Sequence, residues 1–172
     1  PVPDTVAARL IKGSHIVVRR ALPSGRALVL PNDDGRVVFV IPFEREFALI
    51  GTTDIGLSGD PTGAVISQQE VEYLCRAVNR FLIHPVAERD IVWSYAGVRA
   101  LHDDGSTNPS KVTRDYLLQL DHADNTAPIL SVYGGKLTTY RRVAEEAVGK
   151  LGATFPGLRP AWTDRKPLPG GD

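Results

Sequence analysis

Ser67-Gln68-Gln69-Glu70-Val71-Glu72-Tyr73-Leu74-Cys75-Arg76-Ala77-Val78-Asn79-Arg80-Phe81-Leu82 is the stretch that decides the fold. Ser67 and Glu70 stand at the S-x-x-E spacing of a capping box, in which each side chain satisfies the other residue's backbone amide. Val71, Leu74, Cys75, Val78, Phe81 and Leu82 then recur at helical spacing until Pro85 ends the run. Such an amphipathic helix needs an apolar face to cover, and the residues before it supply one. Ser14 to Arg20, Ala27 to Leu30, Arg36 to Ile41 and Phe47 to Gly51 are β-branched or aromatic runs, and they read as an antiparallel meander. The connections Pro23-Ser24-Gly25 and Pro31-Asn32-Asp33-Asp34-Gly35 are short and polar, which suits hairpins rather than parallel crossovers. Cys75 lies in the helix stripe and reads as a buried structural thiol.

Gly56 to Gly63, rich in Gly, Asp and Pro, reads as a loop leading into the helix. Beyond the helix, Ile91 to Val98, Asp115 to Leu120 and Ile129 to Tyr133 are three more strands, and Leu101 to Thr113 is polar and turn-rich. The last strand runs into Gly134-Gly135-Lys136 and a second helix from about Thr139 to Leu151, with Val143, Ala144, Ala147, Val148 and Leu151 on one face. Gly152 to Asp172 is punctuated by Pro and Gly and reads as an extended connector. The fold class expected is α+β, built on a mostly antiparallel sheet with a packed helix.

Composition narrows the function. Twenty Lys and Arg balance twenty Asp and Glu, so no global field attracts nucleic acid or an anionic membrane, and any anion site must be local. The longest apolar run, Val37 to Phe43, contains Pro42 and falls far short of the ~20 residues that cross a bilayer. A single cysteine excludes a disulfide framework and suits a reducing compartment. The 172 residues include no methionine, and the opening Pro1-Val2-Pro3-Asp4 has neither a basic nor an apolar leader region, so the chain reads as a piece of a longer protein.

Three places carry candidate chemistry. Gly134-Gly135-Lys136 ends a strand and opens a helix, where free amides, partial positive charge and the lysine favour an anion; a purely structural turn is the alternative. Arg99 follows an apolar strand, two residues after Gly97, and a guanidinium at a strand end suits bidentate recognition of phosphate or carboxylate, a surface salt bridge being the alternative. Arg114 precedes another strand, and if the two strands are neighbours both arginines converge on one anion. His15, at the mouth of the first strand, has an ordinary pKa that suits it to take a proton from an alcohol, with a packing role as the alternative. His84, His102 and His122 lack metal-ligand spacing, and Asp33-Asp34 and Asp103-Asp104 read as turns, so no metal is expected.

These fragments line up with one family. Lys12-Gly13-Ser14-His15-Ile16-Val17-Val18, Val38-Phe39-Val40-Ile41-Pro42-Phe43, Ile50-Gly51-Thr52-Thr53-Asp54, Val92-Trp93-Ser94-Tyr95-Ala96-Gly97-Val98-Arg99, Thr113-Arg114-Asp115-Tyr116 and Gly134-Gly135-Lys136-Leu137-Thr138-Thr139-Tyr140-Arg141 occur in this order. Together they resemble the C-terminal half of the bacterial aerobic, FAD-dependent glycerol-3-phosphate dehydrogenases. The likeness extends to Pro160-Ala161-Trp162-Thr163 and Leu168-Pro169-Gly170-Gly171 in the tail.

The resemblance implies oxidation of sn-glycerol 3-phosphate to dihydroxyacetone phosphate, with hydride passed to FAD and electrons on to a membrane quinone. It assigns Arg99 and Arg114 to the phosphate, His15 and Lys136 to catalysis, and Gly134, Gly135, Lys136, Leu137, Thr138 and Thr139 to the cofactor. It implies a substrate-binding domain over residues 1–120, the returning strand and helix of a Rossmann-like FAD domain over 121–151, and a connector over 152–172. A cytoplasmic enzyme lying peripherally on the inner face of the cell membrane, with a homodimer possible and no nucleic acid as partner, completes the expectation. Two departures stand out: Ala100 replaces the proline that usually follows the G-V-R arginine, and no G-x-G-x-x-G opens a dinucleotide-binding unit. The isolated chain is therefore expected neither to retain FAD nor to turn over. The alternatives are an oxidase that hands the same electrons to oxygen, giving peroxide, and a non-catalytic phosphate-binding module.

Overall fold

The computed structural model describes residues 8–20, 22, 25–103, 105–113, 115–121, 127–167 and 169–171. The strands are β1 (Ala8–Val18), β2 (Leu28–Pro31), β3 (Val37–Phe43), β4 (Phe47–Gly51), β5 (Ile55–Leu57), β6 (Ile91–His102), β7 (Tyr116–Asp121) and β8 (Ile129–Gly134). Two helices, α1 (Gln68–Asn79) and α2 (Tyr140–Leu151), accompany them. The fold is α+β with antiparallel pairing, as the strand and helix patterns imply. The described chain divides into two compact units, one built on residues 9–99 and 106–111, the other on 100–105 and 112–172, with β6 running from the first into the second.

In the larger unit the sheet order is β2-β3-β4-β1-β5, and β6 also pairs with β1. The expected hairpin between the first two strands does not form: β2 pairs with β3, and β1 pairs with β4, β5 and β6. The reason lies in β1 itself, whose Ile11 to Ser14 and Ile16 to Val18 are buried without alternation, as in a central strand covered on both faces. Strands β3 and β4 are joined by a turn in which Glu44 and Arg45 adopt φ of 46° and 62°. Two successive left-handed residues give the twist a tight hairpin prefers, here without the Asn or Gly that usually supplies it. The loop expected over Gly56 to Gly63 begins instead as the end of β5, whose Leu10↔Leu57 to Lys12↔Ile55 register extends the sheet.

Helix α1 forms as its capping box requires: the Ser67 amide donates to Glu70 Oε2 at 2.8 Å and the Glu70 amide donates to Ser67 Oγ at 3.3 Å. Leu74, Ala77 and Val78 then pack on Ile16, Val18, Val38, Val40, Ala48 and Ile50 to make the core. The helix stops earlier than its apolar spacing suggests, because the Asn79 side chain turns to bond both the amide and the carbonyl of Val86 (2.7 and 2.9 Å). Phe81 consequently leaves the stripe and is exposed. Cys75 packs against the core, and burial, then Glu88 and Asp90, push its thiol pKa up, in keeping with a structural role.

In the smaller unit β7 pairs antiparallel with β8, from Tyr116↔Gly134 to Asp121↔Ile129. The Asp115 to Leu120 strand, expected within the substrate-binding domain, pairs in this two-stranded sheet and not in the larger one. The tail is tied to α2, since the Thr163 amide and hydroxyl both donate to Glu145 (3.2 and 2.8 Å) and Arg141 donates to Thr163 Oγ1 at 3.2 Å. Among the described residues no helix is long and apolar enough to cross a membrane.

One carboxylate joins helix to sheet in the larger unit. Glu70 accepts from Ser14 Oγ (2.8 Å), Thr53 Oγ1 (2.7 Å), the Ser67 amide and hydroxyl (both 2.8 Å) and Lys12 Nζ (2.7 Å). Lys12, Ser14, Thr53 and Glu70 are also the buried polar residues found among those described. Burial pushes the Glu70 pKa up, but the bonds from Lys12, Ser67, Thr53 and Ser14 outweigh it and bring it to about 2. A carboxyl depressed in the folded state stabilises the fold above its ordinary pKa and loses that contribution as acid protonates it. Acid unfolding should therefore steepen between pH 4.5 and 2, with roughly 3 kcal/mol lost through this group. Circular dichroism across that window should show the steep component absent from Glu70→Gln.

Candidate active site

The site of the larger unit is built where β1 meets the run from β4 into β5. Its ladder with β4 ends at His15↔Gly51, and its ladder with β5 begins at Lys12↔Ile55. Gly13 and Ser14 therefore lie opposite three residues, Thr52, Thr53 and Asp54, and the extra residue is a β-bulge, a device that re-aims side chains beside functional sites. Alternation along β1 sends Lys12, Ser14 and Ile16 to the helix side and Gly13 and His15 to the opposite face. The bulge divides in the same way. Thr53 bonds Glu70 beneath the sheet, while Thr52 and Asp54 meet the residues above it.

On that upper face Arg99 from β6 leans across its neighbour. A Cβ placed on Gly13 would lie 2.8 and 2.9 Å from the two terminal guanidinium nitrogens and 2.7 Å from Thr52 Oγ1, so only glycine leaves room for them. Arg99 Nη1 donates to Asp54 Oδ1 at 3.0 Å, in an ion pair whose arginine side chain is 32% exposed and whose aspartate is 10% exposed. The ion-pair alternative and the anion-binding reading thus meet in one residue, since a guanidinium has five N–H donors and this bond takes one of them. This close approach occurs at Gly13, whereas the space over Gly97 is open for 4 Å.

His15 lies on the same face. Its ring stacks on Tyr95 with centroids 4.8 Å apart and planes 6° from parallel, and Tyr95 in turn meets Trp93 at 5.3 Å. A Cβ on Gly51 would fall 2.1 Å from His15 Cδ2, so that glycine too makes way for a site side chain. Burial, and then the charge of Arg99, push the His15 pKa below 6.5, and Nδ1 is buried without a hydrogen-bond partner among the described residues. The imidazole is accordingly neutral near pH 7.

The glycine turn belongs to the smaller unit. Gly134 and Gly135 have φ of 71° and 97°. Gly134 answers a local need, because a Cβ there would stand 2.6 Å from the Asp115 carbonyl oxygen. The Thr139 hydroxyl accepts from the Lys136 amide and donates to the Lys136 carbonyl, both at 3.0 Å, which closes the 3-10 turn Leu137–Thr139 ahead of α2. Lys136, Leu137 and Thr138 are left exposed. Arg114 lies outside the described residues.

Known proteins give this arrangement its context. Residues 2–141 match the family described as FAD dependent oxidoreductase. The chain belongs to that family. It is 48% identical over 170 residues to the aerobic glycerol-3-phosphate dehydrogenase of Escherichia coli (strain K12), which covers 99% of this chain and 34% of that protein. It is 44% identical to the D-erythritol 1-phosphate dehydrogenase of Brucella abortus (strain 2308), over 95% of this chain and 32% of that one. The crystal structure of the Bacillus halodurans glycerol-3-phosphate dehydrogenase complexed with FAD superposes with a TM-score of 0.72 at 29% identity, over 95% of this chain and 30% of that one. The chain thus spans about a third of the length of these relatives.

In this chain of the FAD dependent oxidoreductase family, His15 and Arg99, both expected from sequence, lie on one sheet face, and what holds them there is not displayed by the sequence. Thr52, Thr53 and Asp54 were visible only as part of a motif, and Glu70 only as a helix cap. The signal for Asp54 is pairing register, which a single sequence does not display. The charge coupling between Arg99 and His15 has a direct consequence. In NMR titration His15 should ionise below 6.5, and Arg99→Gln, which removes the nearby cation, should raise its pKa; an unchanged value would separate the two residues.

Proposed function

We propose that this chain is the substrate-gripping part of a flavoenzyme that oxidises sn-glycerol 3-phosphate to dihydroxyacetone phosphate and passes the electrons to a quinone. The observation that carries the reading is a guanidinium seated over Gly13 on the same sheet face as a neutral, tyrosine-stacked histidine. Phosphate recognition and proton removal from an alcohol need these two groups side by side. Asp54 balances the charge of Arg99, so the grip rests on directed N–H donors more than on net positive charge. With His15 Nδ1 sealed and unpartnered, the proton of the substrate hydroxyl is taken at Nε2. Arg114 joins the phosphate grip by resemblance alone.

The glycine turn fits a flavin. Gly135 is left-handed, and Lys136, Leu137 and Thr138 are exposed. Gly134, Gly135, Lys136, Leu137, Thr138 and Thr139 would hold the cofactor from this side, with Lys136 also serving the substrate. The chemistry that a bound FAD would supply here is acceptance of a hydride from the carbinol carbon. Because the chain spans about a third of the relatives' length and carries no G-x-G-x-x-G, it is proposed to retain FAD and turn over only within the longer protein. The quinone acceptor, peripheral attachment to the inner face of the cell membrane and a homodimer are supported by the family resemblance alone. The D-erythritol 1-phosphate relative and the open space over Gly97 support polyol phosphates as the wider substrate class.

Arg99→Lys tests the grip in the full-length enzyme. The variant should fold and raise KM for glycerol 3-phosphate, with a loss of about 1.5–3 kcal/mol in transition-state binding, the range of hydrogen bonds to charged groups. Glycerol, which lacks the phosphate, should be affected far less. Equal loss on both substrates would place Arg99 in support of fold or flavin and end the reading.

A further inference from the structure

The geometry points to Glu70, buried on the helix side of the sheet, as a positioning residue that sets the aim of Arg99 through Thr53 and the 52–54 bulge. The inference rests on the reading of Arg99 as the phosphate ligand and adds what orients it. Bulged residues lie off the regular hydrogen-bond ladder, so side-chain contacts must fix them. Here the contact is Thr53, whose hydroxyl donates to Glu70 Oε1 at 2.7 Å and accepts from the Ser14 amide at 2.9 Å. Both Thr53 and Glu70 are almost fully buried. On either side of Thr53 stand the two residues that touch the Arg99 seat: Thr52, with its hydroxyl over Gly13, and Asp54, bonded to Nη1.

Glu70 is itself immobilised, at one end by the cap of α1 and at the other by Lys12, which also donates to the Val65 carbonyl at 2.8 Å. A displacement of Thr53 therefore moves Thr52 and Asp54, and with them the direction in which the free donors of Arg99 point. Neither Glu70 nor Thr53 faces the substrate side, so their effect on substrate passes through that arginine. A contribution to the fold alone would appear as lowered thermal stability with substrate binding unaltered.

The test is a double-mutant cycle in the full-length flavoenzyme, with kcat and KM for glycerol 3-phosphate and the unfolding temperature measured for Thr53→Val, Thr53→Ser, Arg99→Lys and the Thr53→Val/Arg99→Lys pair. Thr53→Val should raise KM about tenfold with kcat within about twofold, and Thr53→Ser, which keeps the hydroxyl, should restore it. In the Arg99→Lys background Thr53→Val should add less than about twofold, because the residue it aims has gone. If Thr53→Val does not fold, Thr53→Ala, which adds no bulk, carries the same cycle. An unchanged KM in the single variant, or an equal factor in both backgrounds, overturns the positioning role while leaving Arg99 as phosphate ligand. An unchanged KM in Arg99→Lys overturns the phosphate reading and the inference together.

Discussion

A carboxylate taken out of water must be given back its hydrogen bonds, and in this protein that requirement organises the larger unit. Glu70 is satisfied by donors from β1, from the bulge and from its own helix cap, with the Lys12 ammonium as counter-charge. A buried ion pair of this kind is weak evidence for net stability, because desolvation offsets much of the Coulomb attraction. Its value lies in geometry, since apolar side chains tolerate sliding where a carboxylate that accepts from several fixed donors does not. The helix is thereby held in one register on the sheet, and the sheet is held at the one place where its ladder is broken.

The two faces of that sheet have different duties. Beneath it, Ile16, Val18, Val38, Val40 and Ile50 meet α1 in a dry core. Above it, glycines at positions 13 and 51 clear space for Arg99 and His15, and Tyr95 supplies a flat wall. The chemistry of the upper face is one of restraint. Burial, and then the charge of Arg99, lower the His15 pKa, and Asp54 pairs with Arg99.

What was legible in the sequence follows from range. The capping box at Ser67 and Glu70 and the strand-turn-helix around Gly134 are local patterns, and both helices begin where their residues predict, although the first ends at Asn79, short of its apolar spacing. Strand order is non-local: the polar turn after β1 points to a hairpin, whereas its burial without alternation marks a central strand. The Glu44-Arg45 turn carries no residue that favours left-handed backbone, and β5 hides in a segment whose Gly and Asp read as loop. At the candidate site, His15 and Arg99 stand out in the sequence as residue types of distinctive chemistry, and the structure places both on one sheet face. Asp54 and Thr53 were not, since their roles arise only when strands distant in sequence pair with one residue to spare.

That spare residue also bears on how such chains can diverge. Side chains alternate along a strand, so removing one residue from Thr52-Thr53-Asp54 would turn Ile55 to Leu57 over and exchange their two faces. Inserting one would do the same. Substitution can therefore change the chemistry of the segment without exchanging its faces, whereas a change of length cannot. The spacing between Gly51 and Ile55 acts in this sense as a ruler, set by pairing geometry and not by any single side chain.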